Sequence, residues 1–313
     1  ASQLIRLGQE VCFVLADASA VALLEEKEQK YIVLDTDYCD MEGELAALCS
    51  LLQAWRPDVL LVDSYFVTQE YLRKLRTYAK VVYMDDKAGF LYPVDGLINY
   101  NIYAKRDLYE GMEETETRFL LGMDYVPLRE EFQKVSYEVK EQVRKVLITT
   151  GGSDKYNLAG QILERVLKEP TIADLQYYVV SGMFNTNFHM LESMERKHSN
   201  IHIYKNVQNM SELMQECDMA VSAAGSTLYE LCTVGVPILC FSFVDNQEPM
   251  VEGFLKEGIV FYGGHYLEKR EELLSDIVAC LKKLANDVCE RKRISNLGKL
   301  KVDGLGAERI ARE

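Results

Sequence analysis

A chain of 313 residues exceeds one ordinary hydrophobic core, so two domains of roughly 150 residues are expected. Its 48% hydrophobic and 27% charged residues are ordinary for a globular protein, and no apolar run reaches the ~18 residues of a membrane span. A formal net charge of −14 excludes the basic footprint that nucleic acid or an anionic membrane surface requires, although backbone N–H groups at a helix start can still hold a phosphate.

In chain order, "ASQLIRLGQE" (1–10) reads as the later part of a helix closed by Gly8. A helix already under way implies a preceding strand, so truncation upstream of Ala1 is expected. Short β-branched runs follow at 11–16, 31–35, 59–63 and 81–85, with helical segments at 42–55 and 68–79 between them. Asp17, Asp35, Asp63 and Asp85 stand at or beside the ends of those strands. Such alternation gives a parallel sheet covered by helices, whose ligands bind beyond the carboxyl ends of the strands. Residues 89–103, "GFLYPVDGLINYNIY", are apolar and aromatic and hold no Lys or Arg. The polar, proline-bearing stretch 124–142 reads as a crossover. A second series begins with "KVLITTGGSD" (145–154) and a helix over 157–168, and strands follow at 175–182, 201–207, 219–225 and 237–243. The tail from about 269 is helical and charged. The expected class is α/β of GT-B architecture, two doubly wound Rossmann-like domains facing a central cleft. The boundaries are 1–126, a linker at 127–144, 145–288, and a C-terminal helix at 289–313 that joins the first domain.

The eight cysteines form no C-x-x-C pair; Cys12, Cys232 and Cys240 lie in apolar runs as buried thiols do, which points to a reducing, cytoplasmic compartment without a signal peptide. His189, His198 and His202 have no Cys or acid at ligand spacing, so neither metal nor cofactor is expected.

The chemistry concentrates in "AAGSTLYELCTVGVPILCFSFVDNQ" (223–247). It reads strand, turn, helix, so the N–H groups following Gly225, at Ser226 and Thr227, open a helix whose dipole adds about half a positive charge. That combination holds a diphosphate without lysine, and Glu230, one turn on, can accept from the vicinal hydroxyls of a ribose. The alternative is a plain turn and N-cap with a first-turn acid. Asn246 and Gln247 fall at the same strand-end rim and can offer amides to a sugar. "TTGGSDKYN" (149–157) resembles a phosphate loop but lacks its Lys-Ser/Thr ending; Gly152 there lets a substrate approach, or simply makes a tight turn. Asp85-Asp86 could be read as a metal or glycosidase pair. Adjacent strand residues point to opposite faces, so capping by one and substrate contact by the other, Asp86, is preferred.

With "VDSYF" (62–66), "YMDD" (83–86), "NVQNMSELM" (206–214) and "FVDNQ" (243–247), this ordered set resembles the UDP-sugar hydrolase family of pseudaminic acid biosynthesis. That family releases 2,4-diacetamido-2,4,6-trideoxy-altrose from UDP and is similar to the GT-B transferase that adds N-acetylglucosamine to lipid-linked muramyl peptide. The resemblance implies an inverting, metal-independent hydrolase. It puts Glu230 on the ribose, Ser226 and Thr227 on the phosphates, and the backbone of Val207 and Met210 on the uracil, with Tyr65 and Asn246 lining the sugar pocket. The family's G-H-x-x-R motif, whose His is the proposed base, is not found, and the first 188 residues hold no His. A nearly inactive chain that still binds UDP is therefore expected, since a base supplies about 10²–10⁴-fold. A glycosyltransferase, marked by an apolar, basic-rimmed acceptor patch, and an inactive UDP-sugar-binding module are the alternatives.

Overall fold

The runs of alternating β-branched residues become parallel strands in two separate units. The computed structural model describes residues 1–112, 116–267 and 270–313. One unit comprises Ala1–Tyr125 with Ala307–Glu313, the other Val126–Gly306.

In the first unit the opening helix, Ser2–Arg6, ends at Gly8 with φ +82°. Strand β1 (Phe13–Leu15) pairs with β2 (Tyr31–Val33). A four-stranded sheet follows in the order β3 (Val59–Val62), β4 (Lys80–Met84), β5 (Gly96–Asn99), β6 (Arg118–Leu121). The helix Met41–Trp55 starts where Asp40 accepts the Gly43 N–H at 2.9 Å, and Gln69–Leu75 where Thr68 accepts the Tyr71 N–H at 3.0 Å. Their apolar sides bury Leu48, Leu52, Leu72 and Leu75 with Val81 and Leu97 of the sheet. The apolar stretch 89–103 is largely core: Tyr92, Val94, Leu97 and Ile98 are all buried, and residues 96–99 form β5.

In the second unit, β7 (Lys145–Thr149), β8 (Gln176–Ser181), β9 (Ile201–Lys205), β10 (Met219–Ala223), β11 (Ile238–Ser242) and β12 (Phe261–His265) are all parallel. Their order is β12-β11-β10-β7-β8-β9. Every residue of β10 and β11 is buried, as central parallel strands covered on both faces require. Val146, Ile148, Val221, Leu239 and Phe241 pack there against Ile162 and Val166 of the helix Leu158–Val166. Strand order reverses between β7 and β10, and the loops at their carboxyl ends are Thr150–Asn157 and Ala224–Ser226.

Two boundaries differ from expectation. The segment 127–144 is packed onto the second unit rather than spanning as a linker: Phe132 is fully buried, and the Tyr137 hydroxyl donates to the Asp218 carbonyl at 3.2 Å. The C-terminal stretch is two helices. Val288–Lys301 belongs to the second unit and only Ala307–Glu313 joins the first. The reason is Arg291, whose buried guanidinium donates to the carbonyls of Lys140, Glu141, Leu284 and Ala285 and so fastens that helix where it lies.

Candidate functional site

The crevice at a strand-order reversal is where such sheets receive ligands, and two helix starts meet there. They differ in how their N–H groups are used. At the helix Leu158–Val166, the buried carboxylate of Asp154 accepts from Leu158 N at 2.6 Å and Ala159 N at 3.1 Å. That start is closed by the protein's own anion. Burial pushes the Asp154 carboxyl up, against these hydrogen bonds. At the helix Thr227–Val234, Ser226 stands at the N-cap position and its side chain makes no cap bond. The first backbone bonds run from Leu228 N to Gly225 O and from Tyr229 N to Ser226 O, both 3.0 Å, so the N–H groups of Ser226 and Thr227 precede the helical ladder. A Cβ built on Gly225 meets nothing within 4 Å, so the approach to that start is open. An anion is best received here.

Gly152 is likewise exposed, with nothing within 4 Å of a built Cβ. Its carbonyl accepts the Phe184 N–H at 3.1 Å. A Cβ at Gly182 would fall 2.3 Å from that oxygen, so only glycine lets the loops after β7 and β8 touch.

Glu230 projects from the first turn of Thr227–Val234, its side chain 18% exposed. Sequence reasoning missed its partner. Arg129 Nη2 lies 3.1 Å from Glu230 Oε1 and 3.2 Å from Glu131 Oε1. Burial pushes the Glu230 carboxyl up from its ordinary range; Arg129 opposes this, and Glu131 adds to it. Glu131 also accepts the Met210 N–H at 2.9 Å. This corrects part of the expectation for Met210: its side chain is buried, it begins the helix Met210–Glu216, and its N–H is already used by protein. Val207 remains a half-buried residue in the loop after β9.

Asn246 is exposed in the one-turn 3-10 helix Asp245–Gln247 after β11. Gln247 departs from the expected sugar contact. Its Oε1 accepts Phe243 N at 2.9 Å and its Nε2 donates to the Ala224 carbonyl, so the amide braces the ends of β10 and β11 against each other.

In the first unit, the Tyr65 hydroxyl donates to Asp86 Oδ2 at 2.7 Å, and Lys87 Nζ sits 4.2 Å from the Tyr65 ring centroid. The bond to Asp86, with burial, pushes the Tyr65 hydroxyl up. Asp85 is the capping member of the pair: it is buried and accepts from the Tyr92 and Tyr109 hydroxyls at 2.8 and 2.7 Å and from the N–H groups of Lys87 and Ala88. Burial, with Asp86 nearby, pushes the Asp63 carboxyl up.

Residues 146–287 match the family model of the glycosyltransferase family 28 C-terminal domain. The chain is 28% identical over 213 residues, 67% of its own length and 76% of the relative's, to a Campylobacter jejuni protein named UDP-2,4-diacetamido-2,4,6-trideoxy-beta-L-altropyranose hydrolase. It is 28% identical over 262 residues, 81% and 75% of the two chains, to spore coat polysaccharide biosynthesis protein SpsG of Bacillus subtilis. The structure of Acinetobacter baumannii MurG superposes with a TM-score of 0.67 at 13% identity, covering 100% of this chain and 92% of that one. The chain thus has the GT-B fold, matches the family 28 C-terminal domain over residues 146–287, and is similar to a UDP-sugar hydrolase of the kind that its motifs resemble.

Proposed function

We propose that this protein binds a UDP-linked diacetamido-trideoxy sugar through its second unit and hydrolyses it to free sugar and UDP. The observation that carries the reading is the open helix start at Ser226–Thr227, beside a start of the same sheet that Asp154 closes. The diphosphate accepts from those N–H groups, and Glu230, held by Arg129, accepts from the ribose hydroxyls. Val207 lines the uracil side, with Gly152 leaving room over the phosphates. Asn246 meets the sugar from the exposed turn after β11.

Water attacks the anomeric carbon on the face opposite UDP. A carbon–oxygen bond to water forms as the bond to the phosphate oxygen breaks, the attacking water passes a proton to bulk solvent, and the sugar is released with inversion. The negative charge gathers on the departing diphosphate, where the helix start stabilises it. No acid is needed for so good a leaving group. Among the described residues no base is assigned to the attacking water, so turnover is expected to be slow while UDP binding is retained. Similarity to the named hydrolase supports the sugar class. The test is incubation with a panel of UDP-sugars in the presence of chelator, following free UDP and the anomer first released. Release of UDP only on addition of an acceptor alcohol would replace hydrolysis by glycosyl transfer.

A further inference from the structure

One buried histidine takes no part in the proposed chemistry. His265 closes β12, where it pairs in register with Ser242 of β11, and its side chain is only 7% exposed. Neither ring nitrogen has a hydrogen-bond partner among the described residues. Two acids face the ring. Asp245 Oδ1 and Glu248 Oε1 each lie 3.7 Å from Nε2, just beyond bonding reach.

Among the described residues, further polar and titratable groups stand around it. Glu248 Oε1 also accepts from the Ser242 hydroxyl, which lies 2.7 Å from the Tyr262 hydroxyl. From β11 the nearest titratable group is the buried Cys240 thiol, pushed up by burial and by Glu248. The helix Arg270–Asn286 turns Leu273 and Ile277 towards the glycines of β12, and its Cys280 thiol donates to the Tyr262 carbonyl. Asp245 opens the turn that carries Asn246, and Glu248 begins the next helix.

We propose that His265 is a positioning residue operated by a proton: when protonated it draws Asp245 and Glu248 onto Nε2 and fixes the Asp245–Gln247 turn, and with it Asn246, for the sugar. A neutral ring carries no charge to hold either acid, and the turn is released. Histidine is suited to this because it changes charge near neutral pH. The proposal rests on the reading that Asn246 meets the sugar of a UDP-sugar.

The experiment is calorimetric titration at pH 5.5 and 8.5 with UDP and with a non-hydrolysable phosphonate analogue of the UDP-diacetamido sugar. Wild type is compared with His265→Gln and with Asp245→Asn, the latter at a side chain 98% exposed and safe for folding. The quantity read is the ratio of the two dissociation constants, which cancels any titration of groups that touch UDP alone. Wild type is expected to gain about tenfold more from the sugar at pH 5.5 than at pH 8.5, the share of one charge-assisted hydrogen bond. In His265→Gln the gain is flat with pH, in Asp245→Asn its pH dependence shrinks, and UDP alone binds all three proteins equally. A flat ratio in wild type, or an undiminished pH dependence in His265→Gln, overturns the proposal. Failure of wild type to bind UDP at all overturns the underlying function as well, and the two failures are told apart by that control.

Discussion

Replacing Glu230 by Gln separates what this side chain does for the ligand from what it costs the fold. The carboxylate is largely buried, one oxygen lies 3.1 Å from Arg129, and burial raises its folded pKa. Because that value stands above the unfolded one, ionised Glu230 destabilises the protein at neutral pH. The penalty is relieved as pH falls through the raised value. Glutamine removes the penalty and one ion pair whose cation is 51% exposed, and such half-exposed pairs contribute roughly 0–1 kcal/mol. The melting temperature at pH 7 is therefore expected to stay level or rise. Binding moves the other way. A ribose diol donating to a carboxylate makes charge-assisted bonds worth about 1.5–3 kcal/mol each. Losing the charge from one of them weakens UDP about tenfold or more. Calorimetry with UDP and with 2′-deoxy-UDP reads this directly. The wild type should prefer UDP, and Glu230→Gln should scarcely distinguish the two. Wild-type affinity should also fall on the acid side at a higher pH than for an exposed glutamate. An unchanged preference for UDP in a folded Glu230→Gln protein would refute the assignment of Glu230 to the ribose.

Ser226→Asp should act in opposite directions on the same molecule: a carboxylate at the helix start is favoured by the dipole by about 0.3–1 kcal/mol, visible in thermal melts, while its charge lowers UDP affinity at least tenfold. Gln247→Ala should lower stability by about 1–3 kcal/mol in urea unfolding, since it leaves Phe243 N and the Ala224 carbonyl without their brace. Asp85→Ala should cost about 3 kcal/mol or more by the same assay, because two buried tyrosine hydroxyls and two N–H groups lose one common acceptor.

The strands legible in the sequence were those whose burial on both faces writes a continuous apolar run, such as "VLIT" in β7 and "ILCF" in β11. Strand β12 was not legible because "FYGGH" breaks the pattern with two glycines. The cause is packing: a Cβ on Gly263 would fall 2.9 Å from Ile277 of the covering helix, so the strand gives up side chain to let the helix approach. Strand β5 was hidden likewise, four residues beginning with a glycine inside an aromatic stretch. At the candidate site, "AAGST" was legible because a helix start is a local property. Arg129 was not, since its contact with Glu230 spans 101 residues. The only trace was an Arg-Glu-Glu run after a proline, which looks like any solvated connector. Gln247 shows the converse error: a polar residue in the right motif whose amide the backbone had already claimed.

Arg291 has a consequence of its own. One guanidinium holds the peptide just ahead of β7 and the turn that closes the helix Arg270–Asn286. The stretch leading into β7 and the last turn of the helix Arg270–Asn286 are therefore held at a single point of the second unit. Neither segment can loosen by itself, because loosening one strips four carbonyls of a shared donor and frees the other. The unit should come apart in one cooperative step from its seam.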